Sequence, residues 1–405
     1  MGSLEVPPAP PPEVELDSDL EIEPLTTGDL VVEDQGSGLG PYEIIAEIAR
    51  GGMGVVYLCR RSGEAGFERL FAVKALHEHL ADDEMFVAML LDEARLAAKI
   101  HHHNVASVVE LGRSERGYYL VMPYVEGCSL DQLLARSPHY RPPSLIVPIM
   151  IGVLNGLHAA HTVEDDDGKP AGLIHRDVSS HNILVGADGD ARITDFGIAK
   201  ARARLTTTAP GVVKGKISLC APEVFTKDAP VDHRSDQFGA AAVLWCALTG
   251  RRLFQGETDA ETIERVLHLE IPPPSTVGLR PPPAFDAILL RALERDPERR
   301  FPSCAAMAEA LRDAALAAGL LGAPSRTARW VREVFADQLA ERSRLIRAAR
   351  PGGTVMVLPR MSPSFLPAPY LEAEHPGPSI AAFILAIAGA LAAGILVVLY
   401  ARGFL

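Results

Sequence analysis

At 405 residues with 48% hydrophobic content, the chain can bury a substantial core and is long enough for one bilobal domain with appendages. Its net charge of −13 is concentrated in residues 1–38, which hold ten acids from Glu5 onward and no Lys or Arg. The remainder is nearly balanced, so no basic face for nucleic acid is expected.

The five cysteines lack the CxxC spacings of metal or redox sites and read as reduced, mostly buried thiols. No charged-then-apolar segment opens the chain, so a secretory signal is not expected and the main body should remain in the cytosol. Residues 1–40 combine prolines with dense acids and no aromatic residue, a composition that predicts a disordered acidic tail.

Alternating β-type runs follow, among them Val55 to Leu58, Leu70 to Val73 and Tyr118 to Met122, with one helical stretch between. Within them, Ile48, Ala49, Arg50, Gly51, Gly52, Met53 and Gly54 lie between two apolar runs. Glycines there allow backbone amides to close over polyphosphate; an ordinary hairpin turn explains the cluster equally well when it is taken alone. Phe71 to Lys74 is a strand pattern ending in a cation. Phe86, Leu90, Glu93 and Ala97 then share one helix face, so Glu93 needs a partner on an apolar stripe, and Lys74 is the candidate. Such a lysine suits the α- and β-phosphates of a nucleotide.

From Leu130 onward helical periodicity dominates, at Leu145 to His161, Asp236 to Leu248 and Ala284 to Glu294. Between these lies Ile174, His175, Arg176, Asp177, Val178, Ser179, Ser180, His181, Asn182, with an acid and an amide five residues apart before a strand, and Asp195, Phe196, Gly197 begins thirteen residues beyond Asn182.

Over roughly residues 41–313 the chain thus resembles the eukaryotic-type protein kinases, specifically their bacterial Ser/Thr members. The resemblance implies an α+β bilobal fold, a small β-rich N-lobe (41–125) and a larger helical C-lobe (126–313). It implies ATP and Mg2+ as cofactors and proteins as substrates. Asp177 would handle the proton of the attacking hydroxyl, with Lys74 and Glu93 as the supporting pair and Asn182 and Asp195 as metal ligands. The nucleotide would be framed by residues 48–54, Val56, Ala72, Lys74, Met122 at the adenine pocket and Leu184, with Pro123 to Val125 as the hinge. Ala221, Pro222, Glu223 would end the activation segment, Arg300 would pair with Glu223, and Asp236 would start the helix that anchors the catalytic loop. Thr206, Thr207 and Thr208, among basic residues, are the expected sites of activation-loop phosphorylation, Thr208 first.

Two positions depart from the family pattern. Ser179 stands where a lysine is usual and Lys216 where a threonine is usual, which reads either as one coupled exchange, with Lys216 supplying the missing cation, or as simple loss. The second reading motivates an alternative, a pseudokinase scaffold that binds nucleotide or partners with little transfer. Ala49 replaces the first glycine of the nucleotide loop, a mild change.

Residues 314–350 read as a basic amphipathic helical extension. Its 325–350 stretch carries seven arginines against three acids, and packing on the preceding domain is favoured over a membrane-surface role. A linker over 351–379 precedes Ile380 to Tyr400, 21 uncharged residues, enough for a single transmembrane helix, before a short tail at 401–405. ATP chemistry would place the kinase domain on the cytoplasmic side of that membrane. Ala386, Ala390 and Gly394 repeat at a spacing that lets two such helices approach as a homodimer, and that an Ala-rich segment also produces by coincidence.

Overall fold

The computed structural model describes residues 39–349 apart from 52, 78, 79, 81–83, 116, 197–216 and 228. The predicted transmembrane helix, the linker, the tail at 401–405 and all but the end of the acidic N-terminal stretch lie outside the described residues. Leu39, at the end of that stretch, is buried and bridges to Tyr42.

The N-terminal lobe is one antiparallel sheet of β1 (Glu43–Gly51), β2 (Gly54–Ser62), β3 (Glu68–Leu76), β4 (Glu110–Ser114) and β5 (Gly117–Pro123), in the order β1-β2-β3-β5-β4. The period of two along β3 sorts its side chains. Phe71 and Val73 enter an apolar cluster with Tyr42, Cys59, Tyr119 and Val121, while Ala72 and Lys74 face the other way. Burial of Cys59 pushes its thiol up to about 12, so it is an inert packing residue. Helix α1 (Glu84–Ala98) packs against β4 and buries Phe86, Leu90, Glu93 and Ala97, the stripe predicted from sequence.

The C-terminal lobe opens with a second sheet, β6 (Gly127–Ser129), β7 (Ile183–Gly186) and β8 (Ala191–Ile193). Its helices are α2 (Leu130–Arg136), α3 (Pro143–His161), α4 (Arg234–Thr249), α5 (Asp259–His268), α6 (Asp286–Ala292) and α7 (Cys304–Ala317). Polar side chains set several starts: Ser129 and Gln132 form a reciprocal capping box on α2, and Ser303 caps α7. The stretch read as helix over 284–294 divides, with a 3-10 turn at Pro283–Phe285 preceding α6.

Helix α3 is apolar almost all round because it is wrapped by α4, α7 and β8. Among the described residues it alone is long and apolar enough to cross a membrane, and its burial marks it as the core of this lobe. Beyond α7 the extension forms two helices, α8 (Pro324–Val334) and α9 (Ala336–Ala348), broken at Phe335. Trp330, Val331 and Phe335 join the C-lobe core, in keeping with packing on the domain.

Candidate active site

The segment from His175 to Asn182 is held by a closed ring of hydrogen bonds. Asp177 donates its backbone N–H to His175 Nδ1 at 3.2 Å, and His175 Nε2 donates to the Thr194 carbonyl at 2.9 Å. Thr194 N–H returns to the Asn182 carbonyl at 2.9 Å, and Asn182 Nδ2 closes the ring on the Asp177 carbonyl at 2.8 Å. One ring nitrogen of fully buried His175 therefore accepts while the other donates, which assigns it the neutral Nε2–H tautomer. With the Asn182 amide nitrogen committed, its carbonyl oxygen is left as the acceptor that a hard cation requires.

This ring stands on Asp236, 2% exposed at the start of α4. Its carboxylate accepts from the backbone N–H of His175 at 2.7 Å, from that of Arg176 at 2.8 Å, and from His161 Nε2 at 2.7 Å. Burial alone would push this carboxyl up, but the hydrogen bond and charge of His161 and the bond from His175 hold it below its ordinary value. Arg176 (φ 64°) and Asp195 (φ 65°) both lie in the left-handed region, which costs about 1–3 kcal/mol per residue and persists where neighbours over-determine it. Asp236 supplies that constraint at Arg176.

Asp195 follows Thr194 of the ring, and Lys74 Nζ lies 2.7 Å from its Oδ1. The sequence reading paired Lys74 with Glu93; the ion pair seen here is with Asp195. Burial of Glu93 on α1 (8% exposed) agrees with its predicted place on the apolar stripe, and β3 brings Lys74 over the end of β8 where Asp195 emerges.

The sheet register gathers the predicted nucleotide residues on one face. Ala49, Val56, Lys74 and Leu120 form one cross-strand row, and Ala46, Leu58, Ala72 and Met122 the next. Met122 is buried, and its sulfur accepts from Thr194 Oγ1 at 3.6 Å, tying that end of the face to the residue before Asp195. Leu184 lies on β7 of the opposing lobe. Two residues of the predicted frame turn their side chains to other contacts: Met53 packs with Leu76, Phe86 and Leu90, and Ile48 packs against a cluster that contains Leu345 of α9. Arg50 is exposed and paired with Glu47 at 2.6 Å. A Cβ on Gly54 would meet the Ala75 carbonyl at 2.1 Å, whereas one on Gly51 would meet nothing within 4 Å. Gly52 lies outside the described residues.

Downstream, Glu223 and Arg300 form a two-pronged ion pair with both N–O distances 2.8 Å, almost wholly out of solvent. Phe196 meets His175 edge-on at 4.6 Å between ring centres. Sequence reasoning missed His161, the last residue of α3, and Arg60 on β2. Ser179 is 2% exposed, and its hydroxyl has no hydrogen-bond partner among the described residues. Lys216, Gly197 and Thr206 to Thr208 lie outside the described residues, and with them the coupled exchange and the phosphorylation sites.

The family described as "Protein kinase domain" matches residues 42–311. The chain is 39% identical over 275 residues to the tyrosine-protein kinase MasK of Myxococcus xanthus, covering 67% of this chain and 42% of that protein. It is 34% identical to the serine/threonine-protein kinase PknL of Mycobacterium tuberculosis, covering 66% and 63%, and 33% identical to PknE of the same species, covering 67% and 45%. It thus spans less than two thirds of the length of these relatives. Among solved structures, the M. tuberculosis PknI kinase domain superposes with a TM-score of 0.52 at 26% identity, covering 69% of this chain and 98% of that domain.

Proposed function

This chain belongs to the protein kinase family, and on that premise we propose that it transfers the γ-phosphate of ATP to serine or threonine hydroxyls of proteins. The observation that carries the reading is the hydrogen-bonded ring that fixes Asp177 and Asn182 beside Thr194, with Lys74 paired to the adjacent Asp195.

In this reading Asp177 orients the acceptor hydroxyl and takes its proton, and Lys74 grips the non-transferred phosphates. The two oxygen donors, Asn182 Oδ1 and an Asp195 carboxylate oxygen, suit Mg2+, which commonly takes one or two protein carboxylates and completes its shell with phosphate and water. When bound, that ion supplies charge neutralisation on the phosphoryl group. Catalysis by this chain's own residues is then positioning and fixed electrostatics, which the Asp236 anchor and the ring provide.

The reading extends to autophosphorylation at Thr208 or a neighbour, and to tethering through residues 380–400 with the kinase domain in the cytoplasm. A second reading, transfer to tyrosine, is favoured by the name of the Myxococcus relative and by the absence of threonine at position 216. Labelled phosphate from ATP, followed by acid hydrolysis of the acceptor protein, separates them. Phosphoserine or phosphothreonine that disappears in Lys74→Ala supports the first reading; phosphotyrosine alone transfers the assignment to the second; no incorporation by the native chain leaves a nucleotide-binding scaffold.

A further inference from the structure

The family match ends at Leu311, yet the chain continues into two helices with buried faces. Helix α8 is rooted in the C-lobe. Trp330 is 4% exposed and donates its indole N–H to Ser137 Oγ at 3.2 Å, and Arg332 donates twice to the Ala187 carbonyl, at 3.0 and 2.7 Å.

Helix α9 then crosses to the other lobe. Leu339 packs on the C-lobe core, and Leu345 packs with Ile45, Ala46 and Leu58 of β1 and β2. The two leucines are six residues apart, roughly 9 Å along one rigid helix. Between them Arg342 donates to the carbonyl of Gly127, just past the hinge, at 2.7 Å. Arg60 on β2, only 3% exposed, donates to the carbonyls of Ile346 at 2.6 Å and Ala349 at 2.5 Å. The last carbonyls of a helix lack intrahelical donors and carry its negative end, so they match both terminal nitrogens of the buried guanidinium, while its Nε lies 3.3 Å from the Glu68 carboxylate.

The docking place bears on the nucleotide. Ala46 and Leu58, covered by Leu345, are the β1 and β2 members of the row that continues through Ala72 to Met122. Ile48 and the hinge residue Tyr124 pack on the same cluster. One helix therefore touches the C-lobe core, the segment after the hinge, and the hinge end of the sheet face that carries the nucleotide row.

We propose that α9 is an intramolecular strap that fixes the angle between the lobes and so acts as a positioning element for nucleotide binding; this rests on the kinase reading. If only a fraction of molecules holds the lobes at the binding-competent angle, apparent nucleotide affinity falls by that fraction, and the strap raises it.

The test uses full-length protein carrying Leu345→Asp, Leu345→Met or Arg342→Ala. Leu345→Asp should raise KM for ATP about five- to tenfold while kcat at saturating ATP stays within about twofold, because saturation repopulates the competent angle. Leu345→Met should behave as the native chain. An unchanged KM in a Leu345→Asp protein that still unfolds cooperatively overturns the proposal, as does a loss confined to kcat. Should Leu345→Asp not fold, Arg342→Ala, which removes one hydrogen bond to Gly127, carries the same test with about a two- to threefold rise. Amide hydrogen exchange separates this proposal from the kinase reading. Either strap variant should speed exchange in β1 and β2 whether or not phosphate is transferred, and unaltered exchange there overturns the strap, whereas a native chain that transfers no phosphate overturns the kinase reading instead.

Discussion

The ammonium of Lys74 lies 2.7 Å from a carboxylate oxygen of Asp195, a residue 121 positions away and in the other lobe. That contact joins the end of β3 to the segment leaving β8, so the two lobes meet at the charges proposed to handle phosphate. Lys74→Met should leave the fold intact and reduce phosphotransfer by about 10²–10³, the usual loss when one fixed electrostatic contact to a developing charge is removed. Steady-state kinetics with a generic acceptor protein checks it.

The Glu223–Arg300 pair lies in a shell that water does not reach, with Arg300 also donating to the carbonyls of Glu294, Arg234 and Arg295. Truncating one partner strands the other charge, so Glu223→Ala should cost about 3–5 kcal/mol in urea unfolding. The Glu223→Gln, Arg300→Met double variant should lose less than the sum of its single changes, because neither group is then left charged alone.

Asp236 gives the fold an acid limit whose sign follows from its lowered pKa. As pH falls past its ordinary value of 3.8, the unfolded chain takes up the proton first, so the stability Asp236 contributes is full above that value and is lost as pH descends through the lower folded-state pKa. Denaturant unfolding from neutral pH to below 3.8 should show this decline, and Asp236→Asn should be less stable at neutral pH with a shallower acid slope.

Gly51 and Gly54, in the loop proposed to cover the nucleotide, should respond differently to one methyl group. Gly54→Ala drives a Cβ into the Ala75 backbone carbonyl at 2.1 Å, which no rotamer relieves, and should lower the unfolding temperature by several degrees, a loss of about 1–3 kcal/mol. Gly51→Ala meets nothing within 4 Å and should leave it within about a degree. Differential scanning calorimetry of the two variants makes the comparison.

The site was legible in the sequence where chemistry demands a residue type at fixed spacing. Asp177, Asn182, Asp195, Glu223 and Arg300 lie in loops and short turns, Asp236 lies in the first turn of α4 as its motif implied, and Lys74 lies on the strand that the pattern Phe71 to Lys74 predicts. Partner choice was not legible. The Lys74 ion pair depends on how two lobes close, which no local periodicity encodes. The role of the extension was half visible: its apolar residues announced packing, but seven arginines over 325–350 resemble a solvated or membrane-facing surface until Arg332 and Arg342 are seen spending their donors on backbone carbonyls. Arg60 gave no signal, since a strand arginine is ordinarily exposed and only the distant end of α9 explains its burial.

Asn182 and Asp195, with Lys74 beside Asp195, form the proposed Mg·ATP site on which the kinase reading stands. Titration calorimetry of ATP into the native chain and into Asp195→Asn, each with and without magnesium, tests it most directly. Magnesium should tighten nucleotide binding to the native chain, and Asp195→Asn should lose that gain. Binding equally strong in all four titrations, or none to the native chain, would contradict it.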